Sequence, residues 1–299
     1  MNIKRRLFGP TVVDLAQEWR ESTAHGDIAR YHLISDIDRY VTPFFRAKYI
    51  RRITLEDAEN YVLFLRDLKN VRTGAALSDA TVKSALKNTR AIFNYAVKNG
   101  VIKKNPFKEI SVKISEKEVR YYTKDQAKKL LSAAYPDDTY KLAVLLGLCA
   151  GLRRGEVVAL QWSDVDIKKR ILHVRHSMNR IQGKNYIKLP KSGKQRSVPI
   201  NDILRKALLV ARKTSQSDIV IPISPGRLTL WFPEYAESIG LPRLTFHDLR
   251  RTFGTLLLQS GTDVKTVAAL LGHSSYQITL KYYAGVNAEQ IDAVNKMYR

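Results

Sequence analysis

Apolar periodicity lapses between residues 105 and 120. That segment holds Pro106 and a charged run from Lys113 to Arg120, and little amphipathic pattern passes through it. A stretch with no apolar stripe to bury joins folded parts rather than forming one. A chain of 299 residues also exceeds what a single core usually fills, so two domains are expected. The boundaries fall at 1–112 for the first domain, 113–120 for the linker and 121–299 for the second.

The first domain reads as a helical bundle. Residues 11–22 carry Val12, Val13, Leu15, Ala16 and Trp19 at helical spacing. A second helix is expected over 28–41, ending before Pro43. Thr54 followed by Glu56 and Asp57 reads as an N-cap with acidic first-turn residues, for a helix running to Leu68. Ser78 caps a fourth helix over 80–98, stopped by Gly100, with Val82, Leu86, Phe93 and Val97 as its apolar stripe. Beside it runs a second stripe, Lys83, Lys87, Arg90 and Asn94. Such a stripe suits a DNA groove, and it equally suits a solvated face.

The second domain opens with Thr123 capping a helix over 124–134. An apolar helix follows over 140–150, and the period then changes. Ile171, His173 and Arg175, then Tyr186 and Lys188, then Arg196, Val198 and Ile200 alternate as short strands do. Helices resume at Asn201. The fold class expected is mainly α with a small antiparallel β-sheet, an α+β domain preceded by a separate helical bundle.

Charge narrows the partners. Lys and Arg number 51 against 28 Asp and Glu, a formal net charge of +23. An excess of this size attracts polyanions and makes nucleic-acid binding strongly salt-dependent. The lone Cys149 excludes an internal disulfide and a cysteine metal site, and a single buried thiol suits a reducing cytoplasm. No secretion signal or membrane span is read in the sequence.

Four separated pieces carry chemistry. Gly151-Leu152-Arg153-Arg154-Gly155-Glu156 delivers a guanidinium from a turn just after a buried helix, where it can fork onto phosphate oxygens. Leu189 to Arg196, with Lys191 and Lys194, reads as a basic hairpin turn between two strands. His247 and Arg250 lie three apart, on one face of a helix whose other side is Leu249, Phe253 and Leu256. Gly272-His273 ends a further helix, and Tyr282 follows nine residues after His273. Singly, each has a plainer reading: a surface salt bridge, a solvated turn, a capping histidine, a packed tyrosine.

Taken in this order, the pieces resemble the tyrosine recombinases, or phage integrases. Leu271-Gly272-His273-Ser274-Ser275 with Tyr282, and His247-Asp248-Leu249-Arg250-Arg251-Thr252, are the more specific stretches. The resemblance spans nearly the whole chain, including a core-binding, SAM-like first domain, and no catalytic position departs from the pattern. It implies that Tyr282 attacks a backbone phosphate, leaving a 3′-phosphotyrosyl link and a free 5′-hydroxyl. It implies that Arg153, Arg250, His247 and His273 stabilise the phosphate, with Lys191 protonating the leaving oxygen and His247 assisting as general base. Glu156 supports Arg153 from behind. The neighbouring Tyr283 is the rival nucleophile, and the family spacing from Gly272-His273 favours Tyr282.

No cofactor is expected: the link conserves the phosphodiester energy, and the sequence carries neither a Walker-type loop nor an acidic metal cluster. Double-stranded DNA is the expected partner, gripped by two domains closing as a clamp. Lys83, Lys87, Arg90, Lys194 and Arg196 are the expected DNA contacts. A C-terminal tail helix over 288–298, with Ile291, Val294, Met297 and Tyr298 on one stripe, is expected to dock on a neighbouring subunit of a homo-tetramer. An accessory directionality or DNA-bending protein is a further expected partner. The setting implied is the bacterial cytoplasm, for a chromosomal protein or one carried by a phage or other mobile element. About ten residues precede the first helix, which suits the two-domain form, although a form shortened at its N-terminus reads the same. The rivals are a type IB topoisomerase, which relaxes DNA, and a catalytically silent DNA-binding regulator on the same fold.

Overall fold

In the computed structural model the chain divides into two compact units, residues 1–117 and 118–299. The structure describes residues 7–23, 26–71, 73–114, 119–190 and 195–273, together with 275, 277 and 279. The expected placements of Lys191, Lys194, Tyr282, Tyr283 and the tail 288–298 lie outside the described residues.

In the first unit, helix α1 (Val12–Ser22) begins at a capping box in which Thr11 Oγ1 accepts the Asp14 N–H and Asp14 accepts the Thr11 N–H. Helix α2 (Asp27–Asp36) runs through a π-helical turn, Ile37–Val41, into the short α3 (Thr42–Phe45). The expected stop before Pro43 is therefore wrong. Pro43 falls in the first turn of α3, directly after the π-helical turn. Helix α4 (Leu55–Asp67) starts at the Thr54–Asp57 capping box, and α5 (Asp79–Lys98) starts at Ser78.

An aromatic cluster fills this core. Phe45, Tyr61, Phe93 and Phe107 are fully buried, with the Phe93 and Phe107 ring centres 4.7 Å apart. Val82, Leu86 and Phe93 of α5 are buried as expected, but Val97 is 36% exposed. It lies in the last turn, and Ala85, Ile92 and Ala96 take the core-facing positions instead. Phe107 and Val112, from the stretch where apolar periodicity lapses, are also buried in this core. Arg90 ties that segment down, donating from Nε to the Phe107 carbonyl at 3.0 Å and from Nη2 to the Ile110 carbonyl.

In the second unit, α6 (Lys124–Ser132) starts at a Thr123–Gln126 capping box. Helix α7 (Asp138–Ala150) is buried on nearly every face, as its near-continuous apolar sequence requires, and packs against α9 (Asp202–Thr214) and α11 (Phe246–Gln259). Cys149, near its end, is half-buried, and burial pushes its thiol up to about 11.

Among the described residues of this unit there are two small antiparallel sheets. One has the order β1 (Val165–Asp166), β2 (Ile171–Val174), β5 (Arg196–Pro199); the other is a hairpin of β3 (Ser177–Ile181) and β4 (Lys184–Lys188). The hairpin turns through Gln182 and Gly183, both with positive φ, as a two-residue turn that follows strand twist requires. The stretch from Leu189 to Arg196 is expected to be a hairpin turn, but β4 pairs with β3 and β5 pairs with β2, so the strands on either side of it are not hairpin partners. Alternation marks a strand but does not name its partner. The short α8 (Arg154–Val157), α10 (Pro225–Ser238) and α12 (Val264–Leu271) complete the described unit. Among the described residues, no helix is long and apolar enough to cross a membrane.

Candidate active site

Two helix ends build the site. Helix α7 closes on Gly151 and α12 closes on Gly272, both left-handed at φ 62°. A side chain at either place would be strained and would collide. A Cβ on Gly151 would lie 2.5 Å from Phe253 Cδ1, and one on Gly272 would lie 2.8 Å from Arg196 Cδ. The carbonyls exposed at these ends face cations, the arrangement a helix dipole favours. Arg250 donates from Nη1 to the Gly151 carbonyl at 2.8 Å and from Nη2 to the Leu271 carbonyl. Arg196 donates from Nε to the Leu270 carbonyl at 2.9 Å, and Arg153 from Nη2 to the Gly272 carbonyl at 3.5 Å.

Glu156 sits at the centre with its side chain fully buried. Its Oε1 accepts from Arg153 Nη1 at 2.8 Å and from Arg196 Nη1 at 3.0 Å. Its Oε2 accepts the Arg153 backbone N–H at 2.8 Å and Arg196 Nη2 at 2.7 Å, with Arg250 Nη1 at 4.0 Å. Burial alone would raise this carboxyl. The Arg196 hydrogen bonds and the charges of Arg196, Arg153 and Arg250 outweigh it and hold the group down at about 2. Three guanidiniums facing one carboxylate leave the cluster strongly positive, suited to an anion whose charge grows during reaction.

Both histidines are held neutral at pH 7. His273, half-buried, is lowered to about 4 by desolvation first, then by Arg250, Arg153, Arg196 and His247. Its Nδ1 lies 2.8 Å from the hydroxyl of the buried Thr279. His247 stands more exposed at the start of α11. It too is lowered, by desolvation and then by Arg251 and Arg250. A neutral imidazole beside fixed cations can accept a proton or donate a hydrogen bond to phosphate.

The structure thus brings together Arg153, Glu156, Arg250 and His273, with His247 close enough to be shifted by the same arginines. Arg250 has a side chain only 4% exposed. Two expected DNA contacts need correcting. Arg196, expected to contact DNA, has a side chain 7% exposed and spends Nε, Nη1 and Nη2 inside the protein. Arg90 likewise serves backbone carbonyls, while Lys83 and Lys87 remain exposed on α5. Arg154, neighbour to Arg153, is tied to the Thr229 hydroxyl of α10. Sequence reasoning missed the Arg196–Glu156 fork and Thr279, since neither alternation nor helix periodicity signals a bond between distant segments.

Comparison with known proteins gives the family. A sequence model of the phage integrase family matches residues 120–290, and one of the phage integrase SAM-like domain matches residues 12–114. The chain belongs to the phage integrase family. A tyrosine recombinase XerC from Roseiflexus sp. is 30% identical over 284 residues, covering 87% of this chain and 83% of its own. In fold, the chain resembles the Tn1549 transposon integrase in complex with a circular intermediate DNA. The TM-score is 0.84 and the identity 22%, covering 96% of this chain and 99% of that one. It also resembles a lambda integrase tetramer bound to a Holliday junction. There the TM-score is 0.71 and the identity 20%, covering 89% of this chain and 78% of that one.

Proposed function

We propose that the protein is a site-specific DNA recombinase that cuts and rejoins strands through a covalent 3′-phosphotyrosyl intermediate. The observation that carries this reading is the Glu156-centred arginine cluster, with neutral His273 beside it, in a chain of the phage integrase family.

In this reading Tyr282 attacks the scissile phosphorus and His247 takes the phenolic proton. The P–O5′ bond breaks, and Lys191 gives a proton to the departing 5′-oxygen. Arg153 and Arg250 neutralise the non-bridging oxygens as phosphorus becomes five-coordinate, and His273 donates a hydrogen bond to one of them. A 5′-hydroxyl from a second duplex then reverses these steps onto a new partner. Phosphoryl transfer of this kind needs no cofactor, because the tyrosyl ester conserves the bond energy.

Residues 1–112 act as the DNA-gripping domain, 113–120 as the linker and 121–299 as the catalytic domain. Lys83 and Lys87, exposed on α5, and Lys194 contact phosphates, which position the duplex without reading it. The active assembly is a homo-tetramer in which the tail 288–298 docks on a neighbouring subunit. It works on DNA in a bacterial cytoplasm, with a DNA-bending or directionality protein as a further partner. The lambda integrase of similar fold forms a tetramer on a Holliday junction, which supports a tetramer here by analogy.

Strand exchange tests the reading. Two labelled duplexes bearing the sequences that flank the protein's own gene are incubated with it, beside a supercoiled plasmid carrying the same sequence. Recombinant-length products are expected. Relaxed plasmid without exchange would point to a topoisomerase, and binding without either product to a silent regulator.

A further inference from the structure

Arg196 belongs to neither the proposed nucleophile, the proposed acid–base groups nor the exposed cations, yet its guanidinium is fully bonded inside the protein. All three of its guanidinium nitrogens have partners: Glu156 Oε1 at 3.0 Å, Glu156 Oε2 at 2.7 Å and the Leu270 carbonyl at 2.9 Å. At 7% exposure it has little left to offer a phosphate, whereas Arg153 keeps 21% of its side chain open. Its stem also fills the space under the Gly272 turn, where no Cβ could stand. That turn presents His273.

Consider the carboxylate without it. Glu156 would lose two of its hydrogen bonds while remaining fully buried. A buried charge left short of partners takes the nearest donors available. Those are Arg153 Nη1, already at 2.8 Å, and Arg250 Nη1, at 4.0 Å. Both arginines would be drawn towards the carboxylate and away from a diester.

We infer that Arg196 is a positioning residue of the reaction: it satisfies Glu156 so that Arg153 and Arg250 stay available to the phosphate, and it props the turn that carries His273. The inference rests on the recombinase reading above and adds to it a residue with no contact to DNA. A planar fork is required, so lysine cannot replace it. Removing its charge also relieves one of the causes that hold His273 down, so the pH profile should respond.

The test compares the full chain with Arg196→Met, Arg196→Lys, Glu156→Gln and the double variant Glu156→Gln/Arg196→Met. The probe is a nicked duplex from the gene's own flanks. Two quantities are read on each: DNA affinity by mobility shift, and the single-turnover rate of covalent adduct formation across pH. Arg196→Met is expected to bind DNA as the parent does while adduct formation slows by about 100-fold or more, the scale of losing one transition-state donor. Its acid limb should move to higher pH, and Arg196→Lys should recover little. The double variant should react faster than Arg196→Met alone, because no unpaired carboxylate remains to capture the other arginines. It also leaves no buried unpaired carboxylate, so it carries the comparison if Arg196→Met does not fold: its rate should then lie close to that of Glu156→Gln. Affinity falling in step with rate would make Arg196 a DNA contact and overturn the inference. So would losses that simply multiply in the double variant. A parent chain that forms no adduct on DNA it binds would overturn the recombinase reading itself.

Discussion

His273 Nδ1 and the hydroxyl of Thr279 lie 2.8 Å apart, with Thr279 fully buried. A hydroxyl that donates to Nδ1 fixes the tautomer with its proton on Nε2, leaving that nitrogen as a donor. Thr279→Val keeps the shape and removes the partner. Loss of such a supporting bond should slow single-turnover DNA cleavage by about 10- to 100-fold, with Thr279→Ser close to the parent. Equal rates for valine and serine would show that the tautomer is set elsewhere.

Among the described residues, Glu156 is the one carboxylate that pairs with Arg153 and Arg196, and its side chain is fully buried. Glu156→Ala would leave buried guanidiniums without their counter-ion, a loss of about 3–5 kcal/mol in unfolding free energy. Glu156→Gln, which keeps an acceptor, should lose less. Urea titration of the three proteins checks the order.

Acid should weaken the fold in two successive windows. His273 is lowered from 6.5 to about 4, so between those values the unfolded chain binds its proton and the folded chain does not. Glu156 is lowered from 4.5 to about 2, so the same holds again lower down. In both windows the unfolded state carries more protons, and stability falls as pH falls. Thermal melts from pH 7 to pH 2 should decline throughout. Glu156→Gln should remove the decline below about 4.5 that this residue causes.

Arg90 and Lys83 share a stripe but should behave differently. Lys83→Ala should reduce the salt-dependence slope of DNA binding by about one unit, as loss of one phosphate contact does. Arg90→Ala breaks charge-assisted bonds to the Phe107 and Ile110 carbonyls and should lower stability by about 2–3 kcal/mol. Mobility shifts at several salt concentrations and a denaturation curve separate the two effects.

Much of this architecture was legible because its signals are local. The Thr54, Ser78 and Thr123 caps each bond to a residue three positions on, and the glycines at 151 and 272 end their helices as glycine must when φ is positive. The elements of the site could be ordered along the chain for the same reason. What escaped reading depends on partners distant in sequence. Arg196 looked like an exposed strand residue until its fork onto Glu156, forty residues away, placed it inside. The segment after β4 looked like a hairpin because alternation carries no pairing information. Pro43 looked like a stop because a π turn before a new helix leaves no period to detect.

Covalent trapping reads the nucleophile itself. The parent chain and Tyr282→Phe are incubated with nicked duplexes from the gene's flanks, then denatured and separated. A protein–DNA adduct is expected in the parent, joined at a 3′-phosphate, and none in Tyr282→Phe. An adduct that survives in Tyr282→Phe would contradict that expectation and move the chemistry to another residue, Tyr283 first.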